Sequence, residues 1–352
     1  MALDVVERAA EFVACSGMLD KQLTVLWHAG EPLALKPDYY SNAINRIKHI
    51  LSSKVDLKFS FQTNAIALNH EWCEFIKSNK IGIGVSIDGP QEIHDSYRIT
   101  KKGKGTFVHT MKGIELLDKH NIPFSTISVI SDKSLGRANE IASFLLSLNP
   151  INIGFNIEET EGYNNFSSLT NKKESIEEFI NSLYLHLDEA NALAKCREFK
   201  YILQKFANVN RREQAPRRGE NKPFSIITVT NKGMVSTFSP ELCGYPVEDL
   251  GNFTFGNVFD DFDSFKNNQE LRRAYNLIEK GVELCKSSCE YFRYCGGGAP
   301  SNKYQENKSF ASTETMHCSF HNKIIVDTVK RNILSDKLST LPTMTSSDLS
   351  LT

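Results

Sequence analysis

The first 160 residues alternate short, largely apolar runs with helical patterns, and few folds accept that rhythm. LTVLW (23–27), LKFSFQTN (57–64), IGIGVSIDGP (81–90), PFSTISVI (123–130) and INIGFNI (151–157) read as strands. Helices are expected over 3–16, 38–51, 69–79, 106–120 and 135–148; the first places Val5, Val6, Ala9, Phe12 and Val13 on one face. Apolar strands alternating with helices of this length predict an α/β fold, a parallel sheet covered by helices. In such sheets the chemistry gathers beyond the C-terminal ends of the strands.

Unusual residues fall at those ends. Strand by strand they read His28-Ala29-Gly30-Glu31-Pro32, then Gln62-Thr63-Asn64, then Ser86-Ile87-Asp88-Gly89-Pro90. Taken singly, each fits turn and helix-cap chemistry. Three such groups on one rim point to a site.

The chain has 352 residues, room for two domains or one large barrel with an appended module. Its formal net charge is −1, which excludes a strong global drive toward nucleic acid or anionic membrane. No apolar run approaches the roughly 18–20 residues of a membrane span. The start, MALDVVERAAEF, carries acids and lacks an apolar h-region, so no signal peptide is read there. A cytoplasmic protein is expected. Residues 170–210 look helical and polar, and Arg211, Arg212, Arg217 and Arg218 beside a proline and a glycine read as a solvated linker. A contact with peptide or phosphate is the lesser reading of that stretch. FSIITVTNKGMVSTFSP (224–240) reads as a hairpin around Asn231-Lys232-Gly233. From Ser339 onward Ser and Thr dominate, and disorder is expected.

Eight cysteines are unevenly spread. Cys15 and Cys73, on expected helices, and Cys196 read as packing residues. Cys285, Cys289 and Cys295, in a C-x3-C-x5-C spacing followed by Gly296-Gly297-Gly298, are expected to place three thiolates in one tight loop. Cys318 arrives later as a fourth. Four thiolates suit a tetrahedral zinc site or a cuboidal iron–sulfur cluster. Zinc ribbons show paired C-x2-C knuckles, absent here, so iron–sulfur is the favoured reading. Glycines let the backbone wrap closely and aim N–H groups at sulfur. Cys243 is open between a further ligand and a core thiol, with the core reading favoured.

With these residues in view, the chain resembles radical S-adenosylmethionine (SAM) enzymes bearing a C-terminal SPASM-type domain. Trp27 to Pro32 is similar to the GGEP motif, Gln62-Thr63-Asn64 to the QTN segment, and Ser86 to Pro90 with His94, Asp95 and Arg98 to an SxDGP…HDxxR stretch. The tail from Cys295-Gly-Gly-Gly-Ala-Pro-Ser-Asn-Lys through Glu306-Asn307 to Cys318 resembles the cyclophane-forming maturases of the GrrM/OscB group. The similarity runs from about residue 1 to 335.

The resemblance implies a partial (β/α)6 barrel of TIM type, missing its first strand, followed by an iron–sulfur SPASM-type domain. The implied divisions are 1–165 (barrel), 166–223 (helical, basic connector), 224–335 (auxiliary cluster domain) and 336–352 (tail). It implies SAM bound by Gly30, Glu31, Asn64, Ser86 and Arg98, the last as a bidentate donor to its carboxylate. Asp88 is the implied catalytic group, positioning SAM or removing a proton; turn-capping is the plainer alternative. An auxiliary [4Fe–4S] cluster on Cys285, Cys289, Cys295 and Cys318 would accept an electron.

The implied reaction starts from a 5′-deoxyadenosyl radical, which takes hydrogen from a Cβ of a ribosomal precursor peptide. The carbon radical then closes on an aromatic ring. Partners are that peptide and an external electron donor, with neither nucleic acid nor membrane. The family's CxxxCxxC loop, which holds the SAM-chelating [4Fe–4S] cluster, has no counterpart in the chain. The chain as written is therefore expected not to cleave SAM. A late start codon is the expected cause, a degenerate relative the other. An anaerobic sulfatase-maturase-like enzyme, with cysteines for two auxiliary clusters, and a non-catalytic peptide-binding module with a four-cysteine zinc site are the competing functions.

Overall fold

A computed structural model describes residues 1–162, 164–207 and 218–339, with side chains as far as 334. Arg211, Arg212 and Arg217, and the tail from 340, lie outside the described residues. The chain begins with α1 (Leu3–Ala14), β1 (Gln22–Trp27), α2 (Pro37–Leu51), β2 (Asp56–Thr63), α3 (His70–Asn79) and β3 (Gly82–Ser86). It continues with α4 (Gln91–Tyr97), α5 (Phe107–Lys119), β4 (Phe124–Ile130), α6 (Ala138–Ser147) and β5 (Asn152–Ile157).

Local chemistry sets several boundaries. Pro37 opens α2, where its missing N–H costs nothing. Asn69 caps α3 by accepting from Trp72 N at 2.9 Å, worth about 1 kcal/mol. The short α4, which carries the His94-Asp95 part of the third motif, has too few turns to show a periodicity in the sequence.

All neighbouring strands pair in parallel, in the order β1-β2-β3-β4-β5. Each crossover steps the same way, so the sheet curls into a half-barrel with all its C-terminal ends on one rim. Gly84 in β3 is required by a close approach: a Cβ there would lie 2.2 Å from Gln62 Oε1. β1 is an edge strand whose residues alternate between exposed and half-buried, and Leu26 keeps 50% of its surface in solvent.

Beyond the sheet come α7 (Lys173–Glu189) and α8 (Arg197–Ala207). The stretch read as polar in fact buries Ile176, Phe179, Ile180, Leu183, Phe199 and Ile202 in the core of the half-barrel. Its apolar face was masked by the charged residues between those positions.

A smaller antiparallel sheet follows, with β6 (Ile227–Val229), β7 (Met234–Thr237) and β8 (Gly256–Asn257). The expected hairpin is there, with Gly233 in the left-handed region at φ 81°. Then come α9 (Phe262–Lys266), α10 (Gln269–Ser288), α11 (Phe292–Cys295) and α12 (Pro300–Asn307). A turn of π-helix (Cys318–Lys323) leads into α13 (Ile324–Ser339). No helix among the described residues is long and apolar enough to cross a membrane.

Candidate functional site

The three rim groups are tied to one another. Glu31, just past β1, accepts from Thr63 Oγ1 at 2.5 Å and Asn64 N at 2.9 Å, joining the loop after β1 to the loop after β2. A third contact, from Leu33 N at 3.1 Å, caps the short turn that follows. Asn64 spends its own Oδ1 on Ile66 N at 2.9 Å. Ser86 accepts from Gln62 Nε2 at 2.9 Å, a bond that passes over Gly84. Gly30 sits in the first loop in an extended conformation, with open space where a Cβ would be. His28, in the same loop, keeps an exposed surface, and desolvation by its neighbours holds it below its ordinary pKa.

Asp88 and Arg98 form a fork. Arg98 donates Nε and Nη2 to the Asp88 carboxylate at 2.5 and 2.9 Å, and Val129 N donates to the same carboxylate at 2.9 Å. Asp88 is 5% exposed. As folded, the carboxylate orients Arg98 and fastens β3 to β4. The guanidinium expected to stand open for a ligand carboxylate is forked onto Asp88 instead.

His94, quoted in the same motif, is wholly buried. Its Nδ1 accepts from Asp88 N at 3.4 Å, and Nε2 lies 3.1 Å from Thr106 Oγ1, which donates to Arg98 O at 2.8 Å. The imidazole thus locks the backbones of both fork residues.

The strand ends beyond β4 and β5 add polar groups that motif reading passed over. Glu158, Glu159 and Glu161 follow β5 directly. Glu161 is pushed up to about 8 by burial, with Glu159 and Glu241 adding to the rise. Burial works to raise Glu159 too, but His317 and Asn302 hold it below the usual carboxylate value. Applying the strand-end logic to β5 would have found them. None of these rim segments carries a cysteine, so the residues present do not fit the SAM-chelating cluster of the resembled family.

Cys285, Cys289, Cys295 and Cys318 line one cavity of about 220 Å³. Their setting differs from the expected loop. Cys285 lies in the last turn but one of α10, Cys289 caps that helix, Cys295 ends α11, and Cys318 opens the π-helical turn. A spacing of four on a helix already puts the first two on one face. Among the described residues no three His, Cys, Asp or Glu side chains converge tightly enough for a single ion. The thiols ring a space rather than meet at a point.

Cys318 is pushed up to about 12 by burial and by Cys295 nearby, and burial also raises Cys285, opposed by Lys303. Neutral thiols in such a place are poor neighbours for one another once ionised, and bound metal removes that cost. Asn322 lines the same cavity, and its buried Nδ2 finds no acceptor among the described residues. Four thiols, a vacant acceptor role and this volume fit an iron–sulfur cluster.

Several contacts place the cavity against the half-barrel. Arg218, expected to be solvated, instead donates to Cys295 O at 2.9 Å and Asn322 Oδ1 at 2.8 Å. Asn221 Nδ2 holds Gly298 O at 2.8 Å. Asn302 and His317, both on the cavity wall, reach Glu159 beyond β5: Asn302 Nδ2 donates to Glu159 Oε2, and His317 Nδ1 stands 3.0 Å from Oε1, off the line of a straight hydrogen bond. Cys243 is half-buried and does not line the cavity; burial raises it to about 11. Cys73 and Cys196 are buried as expected, whereas Cys15 is exposed at the C-terminal cap of α1.

Known proteins give this geometry a context. The radical SAM superfamily model matches residues 5–145. The uncharacterized protein sll1766 of Synechocystis is 35% identical over 94% of this chain and 84% of its own length. The serine-type anaerobic sulfatase-maturating enzyme of Bacteroides thetaiotaomicron is 41% identical, over 32% of this chain and 27% of its own. Among solved structures, anSMEcpe with bound AdoMet has a TM-score of 0.76 at 20% identity, over 96% of this chain and 91% of that one. Streptococcus suis SuiB bound to precursor peptide SuiA has 0.60 at 13%, over 90% and 69%. The half-barrel, the rim motifs in order and a relative aligned nearly end to end agree, and the chain belongs to the radical SAM superfamily, whose cofactors are SAM and iron–sulfur clusters.

Proposed function

We propose that this chain belongs to a peptide-modifying radical SAM maturase that forms cyclophane cross-links in a ribosomal precursor peptide, and that the residues present, without ligands for the SAM-chelating cluster, do not by themselves cleave SAM. One bond joins a Cβ to an aromatic carbon, and the two C–H bonds it replaces leave as two protons and two electrons. The observation that carries the reading is the four-cysteine cavity joined to the rim through Glu159. A cluster held there would supply an acceptor for the electron left when the ring regains aromaticity.

In this reading residues 1–165 bind SAM and 224–335 hold the cluster, with 166–223 between them. Glu31, Asn64 and Ser86, already aligned by hydrogen bonds between strand ends, and Gly30, which leaves the backbone open, form the SAM surface. Asp88 takes Nε and Nη2 of Arg98 and leaves Nη1 as its donor toward the ligand, so the role of Asp88 is positioning rather than proton removal. The peptide comes from outside, the reducing electron from an external donor in the cytoplasm, and the near-neutral charge gives nucleic acid no part in it. Relatives that mature sulfatases, or that bind a precursor peptide, support a peptide substrate.

The sulfatase-maturase reading is the alternative, favoured by the likeness to anSMEcpe; it needs cysteines for a second auxiliary cluster. Metal and product analysis separates the two. The protein is expressed from its gene with any coding sequence in frame before Met1, beside a short aromatic-rich precursor peptide, and purified without oxygen. The expected result is one auxiliary cluster's worth of iron and sulfide, lost in Cys285→Ala, and a peptide lighter by a pair of hydrogens per cross-link. Zinc without sulfide, or an unaltered peptide beside an oxidised sulfatase serine or cysteine, defeats the proposal.

A further inference from the structure

Lys303 lies in the first turns of α12 and is 4% exposed. Its ammonium donates to Gly281 O at 2.8 Å and to Cys285 Sγ at 3.3 Å. Neither partner is a carboxylate, and a buried cation is costly unless negative charge faces it. A cluster bound by four thiolates carries net negative charge, which grows by one on reduction. An ammonium against one of its sulfurs stabilises the reduced state more than the oxidised one.

Asn322 makes a second such contact available. Arg218, which can only donate, holds Asn322 Oδ1 at 2.8 Å and so fixes which end of the amide is the nitrogen. That nitrogen, buried on the cavity wall, has no acceptor among the described residues. An N–H directed at a cluster sulfur adds to the effect of the ammonium.

We propose that Lys303, assisted by Asn322, raises the reduction potential of the cluster held by Cys285, Cys289, Cys295 and Cys318, through a buried positive charge at Cys285 Sγ and an N–H donor on the cavity wall. The inference rests on reading the cavity as an iron–sulfur site. The couple is simple: the oxidised cluster takes one electron, supplied in the proposed reaction by the cross-linked peptide radical as it loses a proton. The consequence is a cluster poised to accept that electron.

The test is a redox titration, followed by electron paramagnetic resonance, of anaerobically reconstituted wild type, Lys303→Met, Lys303→Arg and Asn322→Leu, with iron and sulfide measured for each. At the wild-type midpoint, Lys303→Met is expected to cut the ratio of reduced to oxidised cluster about tenfold, a shift of about 59 mV to more negative potential for one electron. Asn322→Leu moves it the same way by less, and Lys303→Arg, which keeps the charge, stays near wild type. Loaded Lys303→Met with an unchanged midpoint overturns the inference and leaves the cluster reading standing. If Lys303→Met takes up no iron, Asn322→Leu decides, and an unchanged midpoint there overturns it. Wild type that binds zinc, without iron and sulfide, defeats the cluster reading and the inference with it.

Discussion

Asp88 receives an arginine fork, a strand amide and, through its own N–H, a buried histidine. The histidine matters because its part depends on protonation. Nδ1 of His94 accepts from Asp88 N, so the network requires neutral imidazole with its proton on Nε2. Burial lowers the His94 pKa below 6.5 in the fold. Between the folded value and 6.5 the unfolded chain therefore binds more protons, and stability rises with pH there. The contribution of His94 is complete above 6.5 and drains away as pH falls toward the folded pKa. His94→Gln cannot titrate. We expect it to be less stable than wild type at about pH 8 and the gap to narrow by about pH 5. Urea midpoints of the two proteins across that range check this, and a constant gap refutes it.

At the level of the element, α10 decides how closely the cysteine cavity can close. Gly281 sits one turn before Cys285, and a Cβ at that position would come within 2.0 Å of Phe310 O and 3.1 Å of Lys303 Nζ. Helix propensity alone would reward Gly281→Ala by about 1 kcal/mol. The clash is with backbone, which yields poorly, and overpacking of this kind costs about 1–3 kcal/mol. The clash wins: we expect net destabilisation in urea and less iron retained per chain, since Cys285 moves with the helix. Leu277→Ala, on the exposed side of α10, is the control and should retain its iron.

Strands, helices and three rim motifs were legible in the sequence because each is a local pattern: alternating apolar runs, turn residues, a fixed order of strand ends. The four cysteines were legible by type, and their helical setting was implicit in the spacing of the first two. Arg218, Asn322 and Lys303 were not, because each acts through a contact that the tertiary fold closes. Asn302 and Glu159 stand 143 positions apart, and no periodicity reports such a pair. Cys15 misled for the opposite reason: it ends a well-marked amphipathic helix yet falls past the buried face.

Across the whole molecule, the first and last described helices cross between its two cores. α1 gives Val6 and Ala10 to the half-barrel core but Val5 and Phe12 to the core of the C-terminal module. α13, the last described element, returns Ile324, Ile325, Val326 and Val329 to the half-barrel. Neither core can open without dragging an element of the other, so the two should unfold as one unit. Phe12 is the place to test it. The ring is 4% exposed and packs at 5.0 Å from Phe262 and 5.6 Å from Phe265. Phe12→Ala is expected to cost about 3–5 kcal/mol. Both tryptophans, Trp27 and Trp72, lie in the half-barrel, so fluorescence follows that core, while labelling of the buried Cys285 thiol in metal-free protein follows α10, which gives Leu271, Ala274 and Ile278 to the other. The two signals should move to lower urea concentration together in Phe12→Ala. A shift in thiol exposure with the tryptophan transition left in place would mean that α1 merely touches the second core, and that the cavity and the rim are joined by Glu159, Asn302 and His317 without sharing a common stability.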